Sequence, residues 1–196
     1  MSERSAAPGS LALVESLVNT LDLESGADAL DTADGRARFG LTEEDVPGAR
    51  ELRESLRATL LAHAGHPAHA AVTPLGELLA TAPLRVTIDP ADGSADLTAA
   101  GLAPAGLTAA EEAPVEEASA DETPAEPAPV DAGRLHSRVA EAVAAALIAG
   151  TWQRLKSCEA ATCHWAYYDR SPAGRGRWCS MQVCGARAKM RRYRAK

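Results

Sequence analysis

Residues 158–184 read CEAATCHWAYYDRSPAGRGRWCSMQVC and hold every cysteine of the chain. The spacing is Cys158-x4-Cys163, fifteen residues, then Cys179-x4-Cys184. Each pair brings two thiols to one turn, and the loop between them lets the pairs converge on one tetrahedral ion. Four thiolates favour Zn2+, with iron or an iron–sulfur cluster as the minor alternative. A set of buried free thiols is the metal-free alternative, but the segment has too few apolar residues to bury them. Four protein ligands leave no open position for water, so the site reads as structural rather than catalytic. His164 offers a substitute for one thiol. Ligands adjacent in sequence crowd a single tetrahedron, so the four-cysteine set is preferred.

The residues around the cysteines extend this reading. Trp165, Tyr167, Tyr168 and Trp178 are expected to form a miniature core beside the metal, with base stacking as the alternative. Asp169 and Ser171 are expected to fix the intervening turn through side-chain bonds to backbone. From Ser180 the pattern SMQVCGARAKMRRYRAK is helical. Arg187, Arg191 and Arg194 share one face, and Lys189, Arg192 and Lys196 share the next. Arg175 and Arg177 add charge from the loop. These eight cations, with no acid between Ser171 and Lys196, form the candidate phosphate-binding surface. Part of the excess offsets the charge of about −2 on a zinc ion with four thiolates.

Charge divides the chain. Residues 151–196 carry a net +9 and residues 1–150 a net −16, which together make the overall −7. Such asymmetry points to two parts with different partners. The chain is 46% hydrophobic but only 4% aromatic, so its core should be helical and packed with Ala, Leu and Val.

Ser10 is placed to cap a helix carrying Leu11, Val14, Val18 and Leu21. Residues 24–42 are expected to be mostly loop. A second helix runs from about Thr42 or Pro47 to Ala64, with Leu52, Leu56, Leu60 and Leu61 on one side. Thr73–Ala80 reads as a short helix with Pro74 in its first turn. Leu84, Val86 and Ile88 alternate as in a strand, and Ala95–Ala99 returns as its hairpin partner. Residues 111–131 hold eight acids, four prolines and no basic residue, the composition of a disordered linker. Tethered near the basic module, those acids are expected to act as a solvated spacer, with competition against nucleic-acid phosphates at low salt as the alternative. A helix resumes near Arg134, with Leu135, Val139, Val143 and Leu147 facing inward. Gly150 ends it, and Thr151 is placed to cap a short helix over Trp152–Lys156.

The expected fold is α+β: a mainly helical N-terminal domain with a small β-hairpin, then a small four-cysteine zinc finger ending in a basic helix. The expected boundaries are a flexible leader at 1–9, the N-terminal domain at 10–110, the acidic linker at 111–131, a helical connector at 132–157 that packs on the N-terminal domain, and the finger at 158–196. Losing the metal is then expected to unfold residues 158–184 and leave the N-terminal domain folded.

Other features carry less chemistry. His63, His66 and His69 are read as an exposed loop rather than a second metal site, since Gly65 and Pro67 break a shared helix face. Asn19 and Thr20, inside an apolar helix, are expected to cap it or form a buried hydrogen bond, with the lining of a pocket as the alternative. No phosphate loop, nucleophile elbow or acid–base pair is found, so the chain is expected not to be an enzyme. No apolar run approaches the length of a membrane helix, and the first residues lack a signal-peptide pattern. A cytoplasmic location follows as an expectation.

Several local motifs match one known family. Arg154-Leu155-Lys156-Ser157-Cys158, Cys163-His164-Trp165, Tyr168-Asp169-Arg170-Ser171, Arg177-Trp178-Cys179-Ser180-Met181 and Cys184-Gly185-Ala186-Arg187-Ala188-Lys189 together resemble the CGNR zinc finger. The third position of the naming motif is Ala186 where the family has Asn, so a side-chain amide is missing there. Leu17-Val18-Asn19-Thr20-Leu21 and the acidic loop after it resemble the ABATE domain, described as a stress-induced transcription regulator. The resemblance implies a bacterial, DNA-binding transcription regulator with one structural Zn2+, whose N-terminal domain senses a small-molecule ligand or forms a homodimer. An RNA- or ribosome-associated zinc module and a protein-interaction scaffold are the alternatives.

Overall fold

The computed structural model describes residues 6–99 and 132–195. The linker at 111–131, Lys196, most of the leader and the end of the N-terminal domain lie outside the described residues. The architecture is mixed: helices with two small antiparallel sheets, and a four-cysteine cluster near the C-terminal end.

Helix α1 (Leu11–Val18) buries Leu11, Val14, Leu17 and Val18, the spacing of one helical face. Helix α3 (Val46–His63) begins with Pro47 in its first turn and buries Ala49, Leu52, Leu56 and Leu60. These faces meet each other and helix α5 (Ala132–Ile148), which contributes Leu135, Val139, Ala142 and Ala146 to the same core. Each fully buried leucine stabilises the fold by roughly 1.5–3 kcal/mol relative to exposure, so this three-helix contact dominates the packing.

Four local expectations need correction. Ser10 stands at the start of α1 but makes no side-chain capping bond. Residues 24–42 are more ordered than a loop: a 3-10 turn (Ala29–Asp31) leads into helix α2 (Ala33–Ala37). Their caps are side chains, with Asp28 accepting from the Leu30 N–H and Thr32 from the Gly35 N–H. Gly35 is required there, because a β-carbon would lie 1.8 Å from the Ala29 carbonyl oxygen. On α5, Leu147 is 59% exposed while Ala142 and Ala146 are buried. Alanine lets α5 approach α1 and α3 closely, so the small residues rather than the last leucine face inward. Finally, Trp152–Arg154 is a single 3-10 turn followed by a strand, and Thr151 gives no side-chain cap.

Helix α4 (Leu75–Leu79) follows Pro74 as expected. Strands β1 (Leu84–Ile88) and β2 (Ala95–Ala99) form the hairpin, in the register Leu84 to Ala99 and Val86 to Leu97. The alternation marks the strand but not its buried face, since Val86 and Ile88 are both exposed.

The second sheet ties the C-terminal part of the chain to the main core. Strands β3 (Leu155–Ser157) and β4 (Ala166–Tyr168) pair antiparallel. Leu155 and Ala166 belong to the same core as α1, α3 and α5, and Tyr168 packs against it. The first cysteine pair is therefore mounted on a hairpin that is part of the main core.

Candidate metal centre and basic helix

The hairpin β3–β4 sets the first pair of cysteines. Cys158 follows β3, and its N–H donates to the Trp165 carbonyl at 2.9 Å. The N–H groups of Cys163 and His164 both donate to the Ala160 carbonyl, at 2.8 and 3.1 Å, which folds the four intervening residues into a tight turn. The second pair opens a helix. Ser180 accepts from the Val183 N–H through its side chain, and Met181–Gly185 makes a π-helical turn leading into α6 (Ala186–Arg194). The Glu159 N–H donates to the Arg177 carbonyl at 3.0 Å and ties the two halves together.

This arrangement places the sulfurs of Cys158, Cys163, Cys179 and Cys184 within 4.8 Å of one another. Cys163 and Cys179 are 3.5 Å apart, and Cys179 and Cys184 are 3.7 Å apart. Zinc–sulfur bonds of about 2.3 Å in a tetrahedron require sulfur–sulfur edges of about 3.8 Å. The four thiols thus fit a zinc ion, and no disulfide links them. Hydrogen bonds to the Cys158 and Cys179 sulfurs, with burial, push the Cys163 thiol far up, while the bonds from Cys163 and Cys179 hold Cys158 low. Four thiolates at this spacing repel, and a divalent cation removes that repulsion. His164 does not join the cluster. Its backbone takes a positive φ of 45°, and its ring stands edge-on to His69 at 5.7 Å.

The loop between the pairs is held by a buried ion pair. Lys156 and Asp169 meet at 2.9 Å, with side chains 6% and 4% exposed. Asp169 also accepts from the N–H groups of Ser171 and Gly176, at 3.0 and 2.7 Å. Burial opposes the charge on Asp169, but the bonds from Ser171, Lys156 and Gly176 outweigh it and hold the carboxyl well below its usual range. Gly176 is needed for this approach, because a β-carbon would come within 2.9 Å of the carboxyl group. Ser171 in turn accepts from the Arg175 N–H. The expected turn-fixing role of Asp169 and Ser171 has its structural form here. Lys156 was not singled out by sequence: a buried lysine reads the same as a surface one until its partner is found.

Aromatic residues are used mainly for packing. Tyr167 is buried against the cysteines and donates its hydroxyl to the Gly176 carbonyl at 2.7 Å. Trp178 packs on the same cluster, with the Arg177 guanidinium 5.6 Å from its ring centre.

The expectation of an exposed loop holds for only part of the histidine segment: His66 and His69 lie in the loop after α3, with His69 exposed, whereas His63 is half-buried. His63 ends α3, lies edge-on to Trp152 at 5.0 Å, and bonds the Leu155 carbonyl through Nδ1 at 2.8 Å. His69 bonds Glu54 at 3.0 Å. His66 stands 3.8 Å from Glu159. They brace α3 against the hairpin instead of converging on an ion. Burial lowers the His63 pKa, outweighing its bond to the Leu155 carbonyl, with the Lys156 charge adding to the decrease. A neutral group buried this way stabilises the fold fully above its unfolded value of about 6.5. That contribution is lost as pH falls from there toward the lower folded value. Titration of the His63 ring by NMR should give a midpoint below the free-histidine value, and a midpoint at or above it would contradict this account.

Asn19 forms a two-way clamp across the chain. Its side-chain N–H donates to the Ala166 carbonyl at 3.0 Å, and its oxygen accepts from the Ala166 N–H at 2.7 Å. Thr20 donates to the Leu17 carbonyl and accepts from Arg53. Sequence foresaw the buried bonds but not that Asn19 grips β4, 147 residues away.

The basic residues separate into two groups. Arg177 pairs with Glu159, and Arg187 pairs with Glu24 of the N-terminal part at 3.1 Å. Lys189, Arg191, Arg192 and Arg194 lie exposed on α6 and make no ion pair among the described residues. Arg175 is exposed in the loop. Exposed beside the α6 cations are Met190 and Tyr193, the latter 78% accessible.

Comparison with known families finds one match. Residues 154–196 match the CGNR zinc finger. With the converging thiols, this assigns one structural Zn2+ to Cys158, Cys163, Cys179 and Cys184. No curated protein matches the chain. No helix among the described residues is long and apolar enough to cross a membrane.

Proposed function

We propose that the chain is a non-catalytic, DNA-binding transcription regulator whose zinc centre presents α6 to duplex phosphates. The observation that carries this reading is α6 itself. It has no buried residue, and its cations Lys189, Arg191, Arg192 and Arg194 are free of intramolecular ion pairs among the described residues. A surface helix with no packing role and four uncompensated charges suits phosphate contact better than ordinary solvation. Its base is rigid, because Cys184 is a metal ligand two residues before it. The finger match supports the same reading. The N-terminal part, ABATE-like in its first helix, is the sensing or dimerising element.

The test is a titration of zinc-loaded protein with duplex DNA and with single-stranded RNA over a range of salt. Duplex binding should weaken as salt rises. Arg187→Ala, Arg191→Ala and Arg194→Ala combined should lower affinity and flatten the log–log salt slope by roughly 0.9 per lost phosphate contact. Arg187 should contribute least of the three, since Glu24 already holds it. An unchanged slope in the triple variant removes this helix face from the interface. Tighter binding to RNA than to duplex replaces the DNA reading with an RNA-associated one.

A further inference from the structure

The N-terminal part holds a second feature that the zinc finger does not use. A cavity of about 370 Å3 opens between α1, α2 and α5. Leu13 and Phe39 give it apolar walls, and Ser16, Arg38 and Arg138 give it polar ones. Among the described residues, no Asp or Glu lines it. Arg38 is exposed and makes no ion pair among the described residues, and Arg138 donates to the Phe39 carbonyl at 3.2 Å. Among the described residues, the ionic groups facing the cavity are thus two guanidinium groups with no acidic side chain beside them. Its volume falls within the range of about 300–1,000 Å3 typical of small-molecule sites.

We propose that this cavity binds a small amphipathic anion. Arg38 and Arg138 take the acidic headgroup, since a guanidinium fork matches a carboxylate or phosphate geometrically. Leu13 and Phe39 cover a compact apolar body. The charge of the site excludes cations and gives neutral analogues nothing to pair with the arginines.

The floor of the cavity gives the site a consequence. Asn19 lines it, and the same side chain clamps Ala166 in β4 through two hydrogen bonds. Strand β4 runs from the first cysteine pair toward the loop carrying Arg175. An occupant that touches Asn19 therefore touches the join between the N-terminal part and the zinc centre. This regulatory consequence rests on the DNA-binding reading above, but the binding site itself does not.

Calorimetric titration of the full, zinc-loaded chain with benzoate, phenyl phosphate and benzamide tests the proposal. Benzoate or phenyl phosphate should bind at millimolar concentrations or below, and the stronger of the two identifies the headgroup. Benzamide, the neutral isostere, should bind at least roughly tenfold more weakly, as should benzoate with Arg38→Gln. Arg38 is exposed, so that variant keeps the fold, and a matching unfolding midpoint checks this. Arg38→Lys should restore part of the affinity. Absence of binding by both anions overturns the proposal, as does equal binding of benzamide or an unchanged affinity in Arg38→Gln. Benzoate binding by a chain that fails to bind DNA upholds this site and overturns the function proposed above. Benzoate binding that leaves DNA affinity unchanged upholds the site and removes its regulatory consequence.

Discussion

Chelating the zinc from reduced protein should lower the unfolding transition of the whole chain, not only that of residues 158–184. Structural zinc contributes roughly 10–16 kcal/mol of apparent binding free energy at neutral pH, and without it four crowded thiols have nothing to hold their turns together. The loss cannot stay local. Leu155 and Ala166 are fully or almost fully buried in the core built by α1, α3 and α5, and the Asn19 clamp ends on Ala166. A frayed hairpin uncovers that core. Metal analysis should return one zinc per chain, and calorimetry of the chelated protein should show a lower and broader N-terminal transition. An N-terminal transition at an unchanged temperature after chelation would show that the hairpin adds nothing to the core.

Arg57→Met should cost roughly 3–5 kcal/mol of stability, the range for breaking a buried charge arrangement. Arg57 is completely buried. Its guanidinium pairs with Glu54 at 3.0 Å, donates to the Val18 carbonyl at 2.9 Å, and donates to the His164 carbonyl at 3.0 Å. One side chain thereby satisfies the end of α1, a carboxylate on its own helix, and the residue after a metal ligand. Burial pulls its pKa down against the attraction of Glu54, yet a guanidinium stays charged in proteins. Methionine fills a similar volume but leaves two carbonyls without donors, each costing about 1–3 kcal/mol. Lysine keeps the charge without the fork and should fall between methionine and the parent. Urea unfolding of the zinc-loaded variants measures the difference. A loss under about 1 kcal/mol, the scale of a surface pair, would mean that the network rearranges around the gap.

Neither effect is visible in the sequence as written. Arg57 lies in RELRESLRATLL beside Arg50 and Arg53, and charged residues spaced along a helix normally mark its wet face. Here the face is covered by the first cysteine turn, whose backbone carbonyl needs a donor. His63 was misread for the same reason: its spacing gave no sign that α3 lies against β3. Leu147 was assigned to the core by period alone, whereas close helix packing selected Ala142 and Ala146.

What the sequence determined by itself is local and chemical. Cysteine spacing specified a four-thiol zinc centre, because ligand geometry depends on residues close in the chain. Hydrophobic periodicity placed α1, α3, α5 and the β1–β2 hairpin, because period follows from backbone geometry. The charge count placed a basic helix after the last cysteine. The tertiary structure alone decided which charges are spent and which make no ion pair among the described residues. Lys156, Arg57, Arg177 and Arg187 are engaged by carboxylates or carbonyls, most of them far along the chain, while Lys189, Arg191, Arg192 and Arg194 face water. It also decided that the zinc hairpin is built into the main core. Both outcomes depend on contacts between distant residues, and a linear pattern carries no record of which distant groups meet.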